Sequence, residues 1–261
     1  MYKDNFVIDS HTHVWPQTIA PRAVDFLEGY YDLPWECGGT AADLEKSMTE
    51  SGVDISVAFS VATSAAQVQN INNFMSMLQN ERIVALGAMH PEFAGYKDEI
   101  RRIKELGLKG VKFHPDFQGF KIDDISAMRI YEEIGDNLPM VFHLGDEKSD
   151  NSAPLRMANV LEQMPYLKVV GAHMGGYKSW DESVRHLIGR DIYLDTCVSI
   201  PWLGADFTKM VREHGAEKIL FGSDFPAVSQ KTELARYDDL DFTEQEIELV
   251  LSRNAKKVFG I

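Results

Sequence analysis

The stretch FVIDSHTH, residues 6–13, decides how the rest of the sequence is interpreted. Its apolar run at residues 6–8 is typical of a buried strand. Side chains two apart on a strand point to the same face, so His11 and His13 are expected to leave one strand end side by side. Neutral imidazole is a common ligand of zinc and other transition metals, so the pair is a candidate metal-chelating site. Two polar residues that merely end a strand are the alternative.

Four further strand-like runs stop at a residue that can bind a metal or move a proton. VKFH ends at His114, MVFH at His143, VVGAH at His173 and ILFGSD at Asp224. A buried structural histidine would explain any one of them. The same feature at the same point of four strand-like runs favours a shared functional site.

Helix-like segments alternate with these runs along the chain. The first strand is predicted at 6–10 and the second, ISVAFSV, at 55–61, and a helix-like pattern with apolar residues at i, i+3, i+4 and i+7 follows. GVKFHP precedes the helix-like ISAMRIYEEIGDNL, and MVFHLG precedes PLRMANVLEQM. Eight strand and helix units of roughly 25 to 30 residues predict a (β/α)8 TIM barrel. With no linker or low-complexity segment, residues 1–261 are expected to form a single domain.

The barrel prediction gives the strand-ending residues a common location. The carboxyl ends of barrel strands meet at one mouth, where the active site of this fold lies. The residues expected there are His11, His13, His114, His143, His173 and Asp224. His90 also follows a strand-like run, but it could equally pack in a loop. His186 and His214 fall within predicted helices and are expected to be surface or packing residues.

The stretch from Val14 to Thr40 is the longest departure from the repeat. It leaves the first strand at its carboxyl end and includes Trp15, Tyr31 and Trp35, so in a barrel it would lie over the catalytic face. A loop this long in a compact domain is usually functional, which predicts a lid or pocket wall. An aromatic packing cap without ligand contact is the alternative.

Composition excludes several functions. The net charge of −14 disfavours nucleic acids and anionic membranes as partners, because both are polyanions. No basic segment followed by an apolar stretch suggests a signal peptide, and no apolar run approaches the roughly 20 residues that span a bilayer. A soluble, cytoplasmic protein with a small-molecule substrate is expected. The two cysteines are too few for a disulfide framework, and Cys197 is more simply a buried core thiol than a nucleophile.

The order of motifs resembles a known group of enzymes. HTH after the first strand, GVKFHP at the fourth, a strand-ending His at the fifth, GAHMGG at the sixth and LFGSDFP at the eighth resemble the amidohydrolase superfamily. The closer resemblance is to amidohydrolase family 2 and the aminocarboxymuconate semialdehyde decarboxylase group, and it extends from HTH to the terminal NAKKVFGI. It implies a distorted barrel that holds one divalent metal ion, usually zinc. The positions matching the family's metal ligands are His11, His13, His143 and Asp224.

The resemblance also implies catalytic roles. Asp224 would accept a proton from the metal-activated water as general base, and His173 matches the sixth-strand histidine that handles protons or polarises the substrate. An unperturbed histidine pKa near 6.5 suits that role.

The roles of Lys112 and His114, which lie two positions apart on the predicted fourth strand, are ambiguous. In binuclear branches of the superfamily a fourth-strand lysine is carbamylated and bridges two metal ions. Family 2 generally uses one metal ion, so we expect Lys112 to stay a buried cation that pairs with a substrate carboxylate. His114 and Trp15 are expected to face the substrate, with structural packing as the alternative for His114.

The sequence therefore predicts a metal-dependent hydrolase of a small substrate with a carboxylate or lactone-like group, and a homodimer is possible by resemblance. The alternative is a zinc-dependent, non-oxidative decarboxylase of an unsaturated or aromatic acid, which would use the same ligands. The modest chain length favours hydrolysis, because many decarboxylase relatives have long insertions. A non-catalytic metal-binding barrel is a third possibility, disfavoured by the acid–base pair of His173 and Asp224.

Overall fold

A computed structural model describes residues 5–261, and the N-terminal residues 1–4, on which the expectation about a signal peptide partly rests, lie outside the described residues. All strand pairs in the described range are parallel. In chain order the strands are β1 Ile8–His13, β2 Ile55–Phe59, β3 Ile83–Ala85, β4 Gly87–Ala88, β5 Val111–Phe113, β6 Met140–Phe142, β7 Val169–Gly171, β8 Tyr193–Asp195 and β9 Ile219–Leu220.

The strands follow one another in space as they do in sequence. β1, β2 and β3 form one ladder, and β4 to β9 form a second. The backbone N–H groups of Leu86 and Gly87 donate to Ala58 and Gly110, so β3 and β4 are two parts of one interrupted barrel strand. Across the remaining gap, the Ser10 N–H donates to the Phe221 carbonyl at 2.8 Å, which joins β1 to the segment after β9. This is the eight-stranded arrangement of a (β/α)8 barrel.

Helices cover the connections between the strands. They are α1 Ala20–Tyr31, α2 Ala41–Ser51, α3 Val68–Leu78, α4 Tyr96–Glu105, α5 Pro115–Gln118, α6 Ile125–Ile134, α7 Pro154–Gln163, α8 Trp180–His186, α9 Ile200–Leu203, α10 Asp206–His214, α11 Gln230–Ala235, α12 Glu244–Glu248 and α13 Asn254–Phe259. Among the described helices, none is long and apolar enough to cross a membrane.

The apolar core has two parts because each strand is buried on both faces. A large cluster lies between the strands and the helices. A smaller cluster contains one or two residues from most strands, including Ile8, Val57, Val141 and Val170, and it is closed by α13. Lys112 pairs in register with Val141, which pairs with Val170, so the Lys112 side chain points into the interior with these residues.

Two local features differ from the sequence-based expectations. β1 extends through both histidines, beyond the predicted end at residue 10, because Thr12 and His13 pair with Ala58 and Phe59 of β2. The stretch from Val14 to Thr40 contains the 12-residue helix α1 and is not a continuous loop. Pro21 lies in the first turn of α1, where its fixed φ and missing N–H suit a helix start.

Candidate metal and active site

Three donor atoms form a triangle at the end of β1. The Nε2 atoms of His11 and His13 lie 3.2 Å apart, which places both imidazoles on one side of the strand as their spacing predicts. Oδ1 of Asp224 lies 3.3 Å from the first and 3.5 Å from the second. Tetrahedral ligands at the bond lengths of zinc keep their donor atoms about 3.4 Å apart. The spacing of the triangle therefore matches that of ligands bound to one divalent metal ion.

A buried carboxylate orients His11 within this triangle. Asp195 Oδ2 lies 2.7 Å from His11 Nδ1, so Nδ1 is the donor and Nε2 keeps its lone pair toward the other ligands. Burial alone would raise the pKa of Asp195, but the neighbouring His11 lowers it to about 2. The same carboxylate accepts from the His173 backbone N–H at 2.9 Å and from the Cys197 thiol at 2.7 Å. Sequence reasoning missed Asp195, although it ends the strand-like run IYLD just as the other site residues end theirs.

The role of Asp195 leads to a quantitative prediction. Asp195→Asn should keep the fold but weaken metal affinity about 10- to 100-fold, because the amide can orient His11 but cannot increase its basicity as a carboxylate does. Competition with a metal-sensing dye would measure the change. The matched control is Asp191→Asn, at an exposed carboxylate that pairs with Lys218 at 3.1 Å. Equal affinities for the two variants would contradict this role.

His143 and His173 face each other across the site. His143 Nε2 lies 2.8 Å from the Gly145 carbonyl, which can only accept, so the lone pair of this ring is on Nδ1. His173 Nδ1 lies 3.3 Å from the Cys197 carbonyl, and in the tautomer that donates to this carbonyl the lone pair of the ring is on Nε2. These two nitrogens are 3.0 Å apart. Burial lowers the pKa of both rings, so both are neutral at neutral pH, and in this tautomer their two lone pairs face each other, an arrangement that a metal cation beside them would stabilise.

The backbone at two of these residues is held in an uncommon conformation. His173 has φ +58° and Asp224 has φ +64°, in the left-handed region that residues other than glycine seldom occupy. The Asp224 N–H donates to the His11 carbonyl at 3.0 Å. Asp9 is another residue that sequence reasoning missed. Its carboxylate accepts hydrogen bonds from the Ser223 backbone N–H at 3.0 Å and from the Ser223 hydroxyl at 2.5 Å. These bonds fix Asp224 against β1.

Electrostatics keep Asp224 ionised. Burial would raise the pKa of its carboxyl, but the hydrogen bond with His13 and the nearby His173 and His11 hold it below the usual aspartate value. Burial lowers the pKa of His13 to about 4. Neutral imidazoles and an ionised carboxylate are the protonation states that a metal ion needs.

Of the three residues predicted to face the substrate, two line the central cavity and one does not. Trp15 stacks on His13 with ring centroids 5.9 Å apart, and both line the central cavity. His114 also lines the cavity, where its ring is stacked on that of His143 at 4.0 Å. Lys112 is fully buried with Nζ 3.3 Å from His11 Nε2, and it is outside the described cavity lining. Burial lowers the pKa of Lys112 to about 8, and its pairing with a substrate carboxylate stays a prediction.

The cavity over the donor atoms has a volume of about 790 Å³. His13, His143, His173 and Asp224 are at its polar end. The segment between Val14 and Thr40 supplies much of its wall, as expected for a pocket-forming insertion. Its aromatic lining residues are Trp15, Phe26, Tyr31, Trp35, Phe117, Tyr177 and Trp202.

The remaining histidines and Cys197 lie outside the described cavity lining. His90 accepts from the Glu92 backbone N–H at 3.2 Å, in a loop. His186 is on α8 beside Glu182, and His214 is buried in α10 against the Ile192 carbonyl. Burial raises the pKa of the Cys197 thiol well above its usual value, so it is a thiol that donates to Asp195 and not a thiolate nucleophile.

Solved structures share this fold along the whole chain. The 5-carboxyvanillate decarboxylase of Sphingomonas paucimobilis superposes with a TM-score of 0.73 at 17% identity, covering 98% of this chain and 99% of that chain. A dihydroxybenzoic acid decarboxylase from Polaromonas sp. JS666, solved with manganese and the inhibitor 2-nitroresorcinol, gives 0.74 at 16% identity and covers 98% and 97%. An uncharacterised TIM-barrel protein of Bordetella bronchiseptica gives 0.77 at 18% identity and covers 97% and 98%. The predicted (β/α)8 fold is thus confirmed.

A family model described as amidohydrolase matches residues 8–261. The chain therefore belongs to the amidohydrolase family, as its ordered motifs predict. No protein with a curated description matches the sequence.

Proposed function

We propose that this protein is a metal-dependent decarboxylase that releases carbon dioxide from an aromatic or unsaturated carboxylic acid. The cavity is the observation on which this rests. Flat aromatic side chains such as Trp15, Trp35 and Tyr177 form its walls, and nitrogen and oxygen donors of a metal site form its end. A planar acid would stack against such walls with its carboxylate directed at the donors.

The proteins of similar structure support decarboxylation ahead of the hydrolysis that the sequence favours. Those with named activities in the comparison above are a 5-carboxyvanillate and a dihydroxybenzoic acid decarboxylase. Chain length was the argument for hydrolysis, but this chain covers 99% of the 5-carboxyvanillate decarboxylase, so length does not separate the two reactions.

The donor set suits one divalent ion, held by His11, His13 and Asp224 with His143 as the further predicted ligand. Imidazole and carboxylate accept either zinc, the first choice from the sequence, or manganese, which is bound in the Polaromonas enzyme. The ion would supply positive charge that stabilises the electron pair left behind when carbon dioxide departs.

Residues of the chain must deliver one proton to the substrate carbon that loses its carboxylate. Decarboxylation breaks a carbon–carbon bond, leaves the electron pair on the substrate carbon and places a proton there, and no oxygen from water enters the product. His173 and Asp224, a neutral imidazole and an ionised carboxylate in the resting protein, line the cavity and can accept a proton and pass it to that carbon. The apolar aromatic walls lower the local dielectric beside the donor atoms, which strengthens electrostatic interactions there.

Product analysis in isotopically labelled water tests the reaction type. Metal-loaded protein would be incubated with 5-carboxyvanillate, dihydroxybenzoates, lactones and cyclic amides in D₂O and in H₂¹⁸O. We expect stoichiometric carbon dioxide and one deuterium at the carbon that lost it. Incorporation of ¹⁸O into a ring-opened product without carbon dioxide would replace the proposal by hydrolysis. Turnover of none of these compounds by folded, metal-loaded protein would count against decarboxylation of this class.

A further inference from the structure

A single strong cation lines the cavity. Of the lining residues in the part of the chain that the structure describes, Arg236 is the only arginine or lysine. It follows α11 and begins the short helical turn Arg236–Asp239. Its side chain is 24% exposed, so it can be reached by a ligand while the protein limits its freedom.

Much of the hydrogen-bonding capacity of Arg236 is unused. Its Nη1 donates to Oε2 of Glu233, and no other side-chain hydrogen bond of Arg236 occurs among residues 5–261. A guanidinium has five N–H donors in a planar fork that matches a carboxylate with two parallel bonds. The remaining donors are available to a ligand in the cavity.

Glu233 does not fully neutralise the positive charge of Arg236 at neutral pH. The Glu233 side chain is completely buried, and its Oε1 has no hydrogen-bond partner among the described residues. Burial, followed by the nearby Asp9 and Asp224, raises the pKa of Glu233 to about 8, although Arg236 opposes this. The pair therefore presents positive charge toward the cavity, and Glu36, which interacts with Arg236 through space, accepts its hydrogen bonds from Ser229 and Thr232 instead.

We infer that Arg236 binds a second carboxylate of the substrate, so that the protein acts on a planar diacid and not on a monoacid. This inference rests on the proposed function for the reaction at the metal end. A monoanionic carboxylate fits the site better than a phosphate dianion, because Glu36 and Asp224 also line the cavity and would repel the additional charge.

Binding of two matched ligands tests this assignment without turnover. Isophthalate has two carboxylates, and 3-carbamoylbenzoate replaces one by a neutral amide of the same shape. Three of the four tryptophans, Trp15, Trp35 and Trp202, line the cavity, so their fluorescence reports binding. In manganese-loaded protein we expect isophthalate to bind about 10- to 100-fold more tightly, as for a charge-assisted pair.

Arg236→Gln should abolish that preference and leave the affinity for 3-carbamoylbenzoate within about twofold. The control is Lys209→Gln, because Lys209 lines only the neighbouring surface cavity and pairs with Glu213 at 3.8 Å. This control should keep the preference. If Arg236→Gln does not fold, the double variant Glu233→Gln with Arg236→Gln removes the uncompensated carboxyl group at the same time.

Three results would overturn the inference: equal affinity of the unmodified protein for both ligands, equal weakening of both by Arg236→Gln, or loss of the preference in Lys209→Gln. These outcomes are independent of the reaction type. A diacid preference that depends on Arg236, with no carbon dioxide from any acid, would support this site and reject the proposed reaction.

Discussion

Replacing His173 by asparagine is expected to lower turnover about 10²- to 10⁴-fold while most of the metal stays bound. His173 lines the cavity, and its Nδ1 is held by Cys197 so that Nε2 faces the site. Asparagine occupies similar space but cannot hold and transfer the proton. The measurements are metal content by elemental analysis and turnover of the best acid from the labelled-water experiment.

His186→Asn is the matched control, because His186 lies on α8 beside Glu182 and outside the cavity lining. It should retain both metal and turnover. His173 is close enough to the metal triangle to be tested as a ligand, because its donor atom lies within 4.8 Å of those of His11 and Asp224. If His173→Asn loses its metal completely, His173 is a metal ligand and the division of roles proposed for the site is wrong.

Replacing His11 by alanine is expected to weaken metal affinity more than about 100-fold, beyond the loss for a residue that only orients a ligand. The substitution removes one corner of the triangle with His13 and Asp224 and leaves the Asp195 carboxylate without its 2.7 Å partner. Turnover should fall with the metal. His143→Ala should behave in the same way if His143 is the fourth ligand.

Elemental analysis of each variant, purified from medium supplemented with zinc and manganese, would measure the loss. Circular dichroism would confirm that the variants are folded, and His186→Ala serves as the surface control. Full metal content in folded His11→Ala would contradict the assignment of the triangle.

The fold and most of the site could be predicted from local patterns. Buried parallel strands are short apolar runs, and each run that ends at a polar residue places it at the barrel mouth. This is why His11, His114, His143, His173 and Asp224, which span more than 200 positions, could be assigned to one site.

The rest could not be predicted because it depends on contacts between distant residues. Asp195 is functional only because β8 places it 2.7 Å from His11, 184 positions earlier in the chain. Arg236 follows α11 in a region without strand periodicity, and only the folded chain brings it to the cavity. The reaction type is equally inaccessible from the ligands, since hydrolysis and decarboxylation can share them.

The most direct test of metal-dependent decarboxylation is a metal titration. Protein stripped by a chelator would be mixed with ¹³C-carboxyl-labelled substrate, and ¹³CO₂ release would be followed as manganese or zinc is added. We expect no release without metal and a rate that rises linearly to a plateau at about one ion per chain, as one triangle of donors implies. Equal ¹³CO₂ release by the stripped protein, or metal-dependent turnover without ¹³CO₂, would contradict metal-dependent decarboxylation.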